Sequence, residues 1–272
     1  MSLARIALRI AAVEALRGRT QVGDNVLDSQ IAALDVGADG EVRTDQEKPF
    51  IAVYTNAATI EGADLRAMSE NGLTEIEFEM GIAASMTETN QETGESIIVE
   101  GLPGTDQAFE FHLDLVARQI ADTLTDPGNE WAEVYRGLVA GVAKIEHART
   151  ASGHLGVRLA GRQIRITAAL IDDPIKGNEL AEGSPMAKLL HMLEGHEDPV
   201  RQVQGAMMSA AISGSNEPWE RVRRNLGMTR DELLAVGLGP IAQDEDQDAP
   251  EAAKATLELS GAEPVDIEKD HD

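Results

Sequence analysis

Residues 73–86 read LTEIEFEMGIAASM, and this stretch decides the class of fold. Its apolar positions recur at every second residue: Ile76, Phe78, Met80, Ile82, Ala84 and Met86. Between them lie Glu75, Glu77, Glu79, Gly81, Ala83 and Ser85. Alternation of this length is typical of a strand with one buried face and one solvent face. We therefore predict that the apolar residues belong to the core and that the three glutamates face solvent.

Further strands are predicted on both sides of this one. A polar loop over 87–95 and a short apolar run over 96–100 predict that the strand turns back as a hairpin with an acidic tip. The other strands are predicted at 31–36, 50–55 and 161–171. Arg165, in the last of these, is placed to pair with the glutamate row across the sheet.

Helices are predicted between and after these strands. Residues 3–17 have apolar side chains at helical spacing and end at Gly18. Residues 105–124 fit a strand by alternation and a helix by spacing. A helix is preferred because the segment is long for a strand and Thr105 can cap it. The remaining helices are predicted at 131–147, 185–194, 198–212, 217–226 and 229–236.

These elements predict an α/β fold of the α+β type. Its sheet is expected to be mixed or antiparallel, with about four to five strands flanked by helices and followed by a C-terminal helical extension. We expect an α/β domain over 1–177, a helical extension over 178–240 and an acidic tail over 241–272. Within the extension, residues 184–237 are expected to form an all-helical appendage that binds a partner. The chain has 272 residues and 42% hydrophobic content, which is ample for a packed core.

Charge is distributed unevenly along the chain. The formal net charge is −25, but residues 1–20 carry +3 and residues 21–130 carry −19. Residues 131–241 are neutral and residues 242–272 carry −9. Such acidity argues against a protein that binds nucleic acid over its whole surface. The first residues lack a signal peptide, and no apolar run is long enough for a membrane span, so neither is expected.

The sequence offers few residues for catalysis or ligand binding. It has no cysteine, which excludes disulfides and thiolate metal sites. It also lacks the common phosphate-binding, dinucleotide-binding, zinc-protease and nucleophile-elbow motifs. His191 and His196 are spaced poorly for a metal pair. We therefore predict no enzyme activity, no metal and no cofactor. A small basic cluster is expected to face solvent or to contact a protein, ahead of phosphate: Arg221, Arg223 and Arg224.

The order of these segments is similar to that of a known family. After the arginine-bearing first helix come GRTQVGDNVLDS (18–29), PFIAVYT (49–55), TEIEFEMGIAASM (74–86), FEFHLDLVARQIADTL (109–124), NEWAEVYRGLVAGV (129–142) and GVRLAGRQIRITAALIDDP (156–174). Over residues 3–177 the chain resembles the tail terminator, or tail completion, proteins of long-tailed bacteriophages and related gene transfer agents. The helical extension and the acidic tail have no counterpart in this resemblance.

The resemblance implies a structural protein of the virion. Such protomers close into a six-fold ring on the last ring of the tail tube and stop its polymerisation. The other face of the ring meets the head-side connector or adaptor protein. DNA passes through the lumen without specific binding, and no membrane is involved. The expected location is the virion tail or neck, after assembly in the host cytoplasm.

Within this picture, two groups of residues are candidates for specific roles. An acidic lumen repels phosphate and lets DNA slide. The candidates for this lumen or acidic face are Glu75, Glu77, Glu79, Glu88, Glu92 and Glu95. The basic first helix and the acidic body offer surfaces of opposite sign for a head-to-tail contact. The candidates for this ring interface are Arg5, Arg9 and Arg17.

Two other functions are compatible with the sequence. One is another neck component, such as a head-completion adaptor or a tail-tube-like protein, which differs in the neighbour that it contacts. The second is a soluble acidic enzyme or regulator of a salt-adapted organism. A deep pocket with perturbed titratable groups would favour that second function.

Overall fold

The computed structural model describes residues 2–30, 33, 35–36, 42–43, 46–61, 69–83, 87–89, 94, 96–99, 102–152, 159–239, 254–257 and 265–268. The helices are α1 (Leu3–Leu16), α2 (Asp106–Thr125), α3 (Glu130–Leu138), α4 (Pro185–Glu194), α5 (Pro199–Ile212), α6 (Pro218–Leu226) and α7 (Arg230–Ala235). The strands of the main sheet are β1 (Val26–Asp28), β4 (Phe50–Thr59), β5 (Leu73–Ala83), β9 (Val139–Ser152) and β10 (Leu159–Leu170). The remaining strands are β2 (Asp35–Val36), β3 (Val42–Arg43), β6 (Glu88–Thr89), β7 (Ser96–Val99), β8 (Leu102–Pro103), β11 (Lys254–Leu257) and β12 (Val265–Glu268).

The main sheet is mixed and has five strands in the order β1-β4-β5-β10-β9. β1 runs parallel to β4, and the other neighbours are antiparallel. The predicted α+β fold class is therefore confirmed: a mixed sheet of five strands is flanked by helices. The alternating residues of β5 are central to it, because Ile76, Phe78, Met80 and Ile82 are fully buried, as predicted.

Helices α1 and α2 cover one face of this sheet. α1 packs on β1 and β4, α2 packs on β5 and β10, and α3 packs on both helices. Thr105 caps α2 by accepting from the backbone amide of Ala108 at 3.3 Å, so the predicted helix is confirmed. Asp173 follows β10 and accepts from the amides of Leu3 and Ala4 at the start of α1, at 3.0 and 2.9 Å. A carboxylate suits the positive end of a helix.

The four helices predicted after residue 184 are confirmed within one or two residues at their ends. Two of them, α4 and α5, belong to the same core as the sheet. Their buried apolar residues are Met186, Leu189, Leu193, Met208 and Ile212. α4 packs on α1 and α3, and α5 packs on α4. The first half of the predicted extension thus completes the helical layer of the α/β domain.

The helix predicted over 131–147 is wrong in its second half. α3 ends at Leu138, and the chain continues as β9. The apolar residues of this segment fit both a helical stripe and a strand. Pairing with β10 decides between them, because Ile145 lies opposite Ile166 in a ladder that spans residues 139–152. Long-range strand pairing overrides local helical spacing here.

The hairpin predicted between 73–86 and 96–100 is also wrong. β5 lies between β4 and β10, so both of its edges are already paired. β7 pairs with β6 and β8 in a separate three-stranded sheet.

The predicted strand at 31–36 is limited to Asp35–Val36 in the described residues. In the predicted acidic tail, β11 and β12 form an antiparallel pair.

No helix in the described part of the chain is long and apolar enough to cross a membrane.

Candidate functional site

The glutamate row lies on the outer face of the sheet, which we define as the face opposite α1 and α2. In the strand register, Glu77 stands between Arg165 on β10 and Tyr54 on β4. Glu77 is only 4% exposed, and its neighbours Glu75 and Glu79 are half-buried. The prediction that all three glutamates face solvent is therefore wrong, because polar neighbours on the adjoining strands enclose them.

Donors surround the carboxylate of Glu77. It accepts from Asn56 Nδ2 at 2.8 Å, from Arg165 Nε and Nη2 at 3.1 and 3.0 Å, and from Gln163. Arg165 also contacts Glu75 at 3.2 Å, which confirms the predicted pairing across the sheet. These contacts make Glu77 a buried, charge-paired acceptor rather than a free acid on a surface.

Glu79 and Tyr54 form a second polar pair on the outer face. Burial raises the pKa of Glu79, and the negative charge of Glu77 adds to this, while hydrogen bonding with Tyr54 opposes it. Burial and the charge of Glu79 likewise raise the pKa of Tyr54, whose hydroxyl donates to the carbonyl of Gln30 at 2.8 Å. The outer face thus holds fewer free negative charges than its sequence indicates.

The other predicted acidic residues are less fully placed. Glu88 is part of β6, and Glu92 and Glu95 lie outside the described residues. The proposed role of these residues in an acidic lumen stays a prediction.

The three arginines predicted at a ring interface all have partners within the chain. Arg5 donates to the carbonyl of Thr55 at 3.2 Å. Arg9 Nε lies 2.6 Å from Asp28, and Arg17 Nη1 lies 2.9 Å from Glu14. Their role in contacts between copies stays a prediction.

A buried charge cluster joins two of these arginines, Arg9 and Arg17, to the second half of the chain. Arg201 of α5 is 3% exposed and donates to Glu14 of α1 at 2.7 Å and to Asp28 of β1 at 2.6 Å. Burial alone would raise the pKa of Asp28, but the hydrogen bonds and charges of Arg201 and Arg9 hold it below 3.8. Sequence reasoning missed this cluster. The available signal was that Arg201 is the sole charged residue of α5.

His112 is the most completely buried titratable residue on α2. Its side chain is fully enclosed, and neither ring nitrogen has a hydrogen-bond partner. Burial lowers its pKa below 6.5. A neutral imidazole can pack in an apolar core, but protonating it there is unfavourable. Its contribution to the free energy of unfolding therefore depends on pH.

The described residues offer no clear centre for catalysis or metal binding. His196 accepts from the amide of Asp198 and packs its ring edge-on against Trp131 at 5.9 Å. No group of three or more His, Asp or Glu residues in the described ranges is placed to hold a metal ion. An open cleft of about 660 Å³ is lined by residues 22–25 and 46–48, whose ionisable side chains are those of Asp24, Glu47 and Lys48.

The edge strand β9 is exposed over most of its length. Residues 140–149 are exposed on both faces of the strand. Two of them are large and apolar: Val142 is 56% exposed and Ile145 is 54% exposed. The short strand β3 comes near β9 but belongs to a separate sheet. An uncovered apolar edge of this length is typical of a surface that pairs with another chain.

Comparisons with known proteins do not assign a family. No protein-family model matches the chain, and no curated protein is significantly similar to it. The fold is that of an α+β protein with an open-edged mixed sheet.

Proposed function

We propose that this chain is a structural protein of a virion tail. Copies of it form a ring that caps the tail tube, stops polymerisation and joins the tube to the head-side connector. DNA passes through the lumen of the ring. In this role the protein acts through its surfaces, and it performs no catalysis and holds no cofactor.

The observation that carries the proposal is the uncovered strand β9. Native proteins protect sheet edges with charge, proline or a covering element, and β9 has the charged residues Lys144, Glu146 and Arg149 but no proline. Here ten consecutive residues of an edge strand are exposed, with Val142 and Ile145 among them. A protomer that meets identical neighbours in a ring covers such an edge on assembly.

The distribution of charge supports the same proposal. A net charge of −25 repels DNA phosphates. Because Glu77 is paired with Arg165, this repulsion arises from the other carboxylates, which are most abundant in residues 21–130 and 242–272. A channel with acidic walls lets DNA move without being held.

Electron microscopy of particles assembled without this gene product tests the proposal. We expect overlong tubes without heads, because nothing then limits polymerisation or joins tube to connector. Supplying the wild-type gene from a plasmid should restore normal particles, which is the control for effects on neighbouring genes.

Two other outcomes would contradict the proposal. Tails of normal length that fail to join heads would assign the protein to the neck as an adaptor. Intact, infectious particles would remove both virion functions and favour a soluble acidic protein.

A further inference from the structure

Helix α5 exposes an apolar face that no element in the described part of the chain covers. Its inner side carries the buried residues Arg201, Gly205, Met208 and Ile212. Its outer side carries Val200, Val203 and Met207, which are 60%, 58% and 69% exposed. Because Arg201 is the sole charged residue of α5, this outer side has no charge. We name it the α5 stripe.

Strand β9 exposes an apolar strip on the helical side of the sheet. Val142 lies opposite the buried Ala168, and Ile145 lies opposite Ile166, which packs against the core. Residues opposite each other on antiparallel strands point to the same face. Glu110 of α2 reaches this edge and binds Arg149 at 2.7 Å, but Val142 and Ile145 are left more than half exposed. The helical layer therefore ends one strand short, and we name the bare residues Val142 and Ile145 the β9 strip.

The α5 stripe and the β9 strip lie at opposite ends of the sheet. Arg201 ties α5 to Asp28 in β1, the first strand in the sheet order, and β9 is the last. Neighbouring strands are about 4.8 Å apart, so the two edges are separated by roughly 19 Å. Because both surfaces are more than half exposed, the α5 stripe does not cover the β9 strip within one chain, whereas that of a second copy can.

We infer that α5 of one copy packs over β9 of the next, so that the helical layer continues from protomer to protomer. This inference rests on the proposed ring and names the surfaces that build it. A contact between two different patches on identical chains is heterologous, and it closes into a ring when the rotation per copy allows. α5 is about 20 Å long, which is enough to span the exposed part of β9.

Charge repulsion between copies opposes contact between these two surfaces only weakly. Copies with a net charge of −25 repel each other, and the repulsion is least where the touching surfaces carry no net negative charge. The α5 stripe is uncharged. On β9 the exposed Glu146 is paired with Lys144 at 2.8 Å. The net charge of the protein therefore does not oppose a contact in which α5 meets β9.

Disulfide trapping tests this arrangement directly, because the chain has no cysteine of its own. Ile145→Cys places a thiol on the β9 strip and Met207→Cys places one on the α5 stripe. We expect the full-length double variant to give a ladder of linked oligomers under mild oxidation. A mixture of the two single variants should give dimers that contain one of each chain.

The single variants and a control pair exclude other arrangements. Linked dimers of Ile145→Cys alone would show that β9 pairs with itself, and linked dimers of Met207→Cys alone would show that α5 does. Either result overturns the inference. Thr125→Cys combined with Glu182→Cys, both exposed and outside the two surfaces, should give no ladder.

The same trapping on assembled particles separates this inference from the proposed function. A visible ring on the tail in which the double variant forms no linked oligomers overturns the α5–β9 contact and leaves the tail function standing. Linked oligomers from a protein whose absence leaves particles intact support the contact and contradict the tail function. A chain that stays unlinked and monomeric everywhere overturns the inference.

Discussion

At the scale of single residues, the charge of Arg201 holds distant parts of the chain together. It neutralises Glu14 and Asp28, which are 187 and 173 residues away in sequence. Arg201→Met should leave Arg17 as the remaining arginine partner of Glu14, and Arg9 as that of Asp28. Leaving a buried charge with no partner costs about 3–5 kcal/mol, so with one arginine left on each carboxylate we expect a loss of about 1–3 kcal/mol in the free energy of unfolding measured with urea.

A matched control separates this buried cluster from ordinary surface pairs. Arg118 pairs with Asp122 on the exposed side of α2 at 2.8 Å. Arg118→Met should cost less than about 1 kcal/mol, since exposed pairs contribute little. Equal losses in the two variants would contradict the assigned role of Arg201.

His112 should make the stability of the protein depend on pH in the mildly acidic range. Its pKa is lowered from 6.5 by burial, so below pH 6.5 the unfolded chain binds a proton that the folded chain does not. The free energy of unfolding should therefore fall as pH drops from about 6.5 towards the lowered pKa, by up to about 1.4 kcal/mol per pH unit. His112→Leu should remove this part of the slope in urea titrations. His191→Gln, at an exposed position, should retain it.

The burial of a residue could be predicted from the sequence where the local pattern determines it. It could not be predicted where it depends on partners that are distant in the sequence. The apolar positions of β5 were predicted correctly, because alternation alone assigns them to one face. The burial of Glu77 was not, since it depends on Gln163 and Arg165, which reach it only through the register of β10. Arg201 was missed for the same reason.

At the scale of elements, the start of α3 is fixed by one buried side chain. Asn129 Oδ1 accepts from the amides of Trp131 and Ala132 at 3.1 and 3.2 Å, and its Nδ2 donates to the carbonyl of Ala15 in α1 at 2.9 Å. Asn129→Ala should cost about 2 kcal/mol, the upper end for a cap, because the Ala15 carbonyl also loses its donor.

The cap of α2 is the comparison for this prediction. Thr105 is exposed and makes one cap bond to the amide of Ala108. Thr105→Ala should cost about 0.5–1 kcal/mol in thermal or urea unfolding. If Asn129→Ala proves no more destabilising than Thr105→Ala, the link between α3 and α1 contributes nothing measurable.

Helices were predicted well where capping residues and prolines mark their ends. The caps and prolines of α2 and α4–α7 lie within a few residues of the helices that they delimit. The change from α3 to β9 has no comparable signal, because Val142 and Ile145 fit both the helical and the strand spacing of apolar residues. The strand forms because it pairs with β10, which comes some 20 residues later in the chain. The false hairpin at 96–100 has the same origin, since strand order in a sheet is a long-range property.

At the scale of the whole molecule, α4 and α5 are part of the core rather than an appendage. Truncation after Gly183 removes the five buried apolar side chains of α4 and α5, buried Leu233 of α7, and one of the two arginine partners of Glu14 and of Asp28. At about 2 kcal/mol for each side chain, the loss is comparable to the whole stability of a typical domain. We expect the truncated chain to lose cooperative unfolding by circular dichroism. Truncation after Ser215 keeps α5 and removes α6 and α7. α6 has no buried residue, and Leu233 is the buried residue of α7. This shorter truncation should therefore still unfold cooperatively. Loss of the fold in both truncations would place essential packing in α6 or α7.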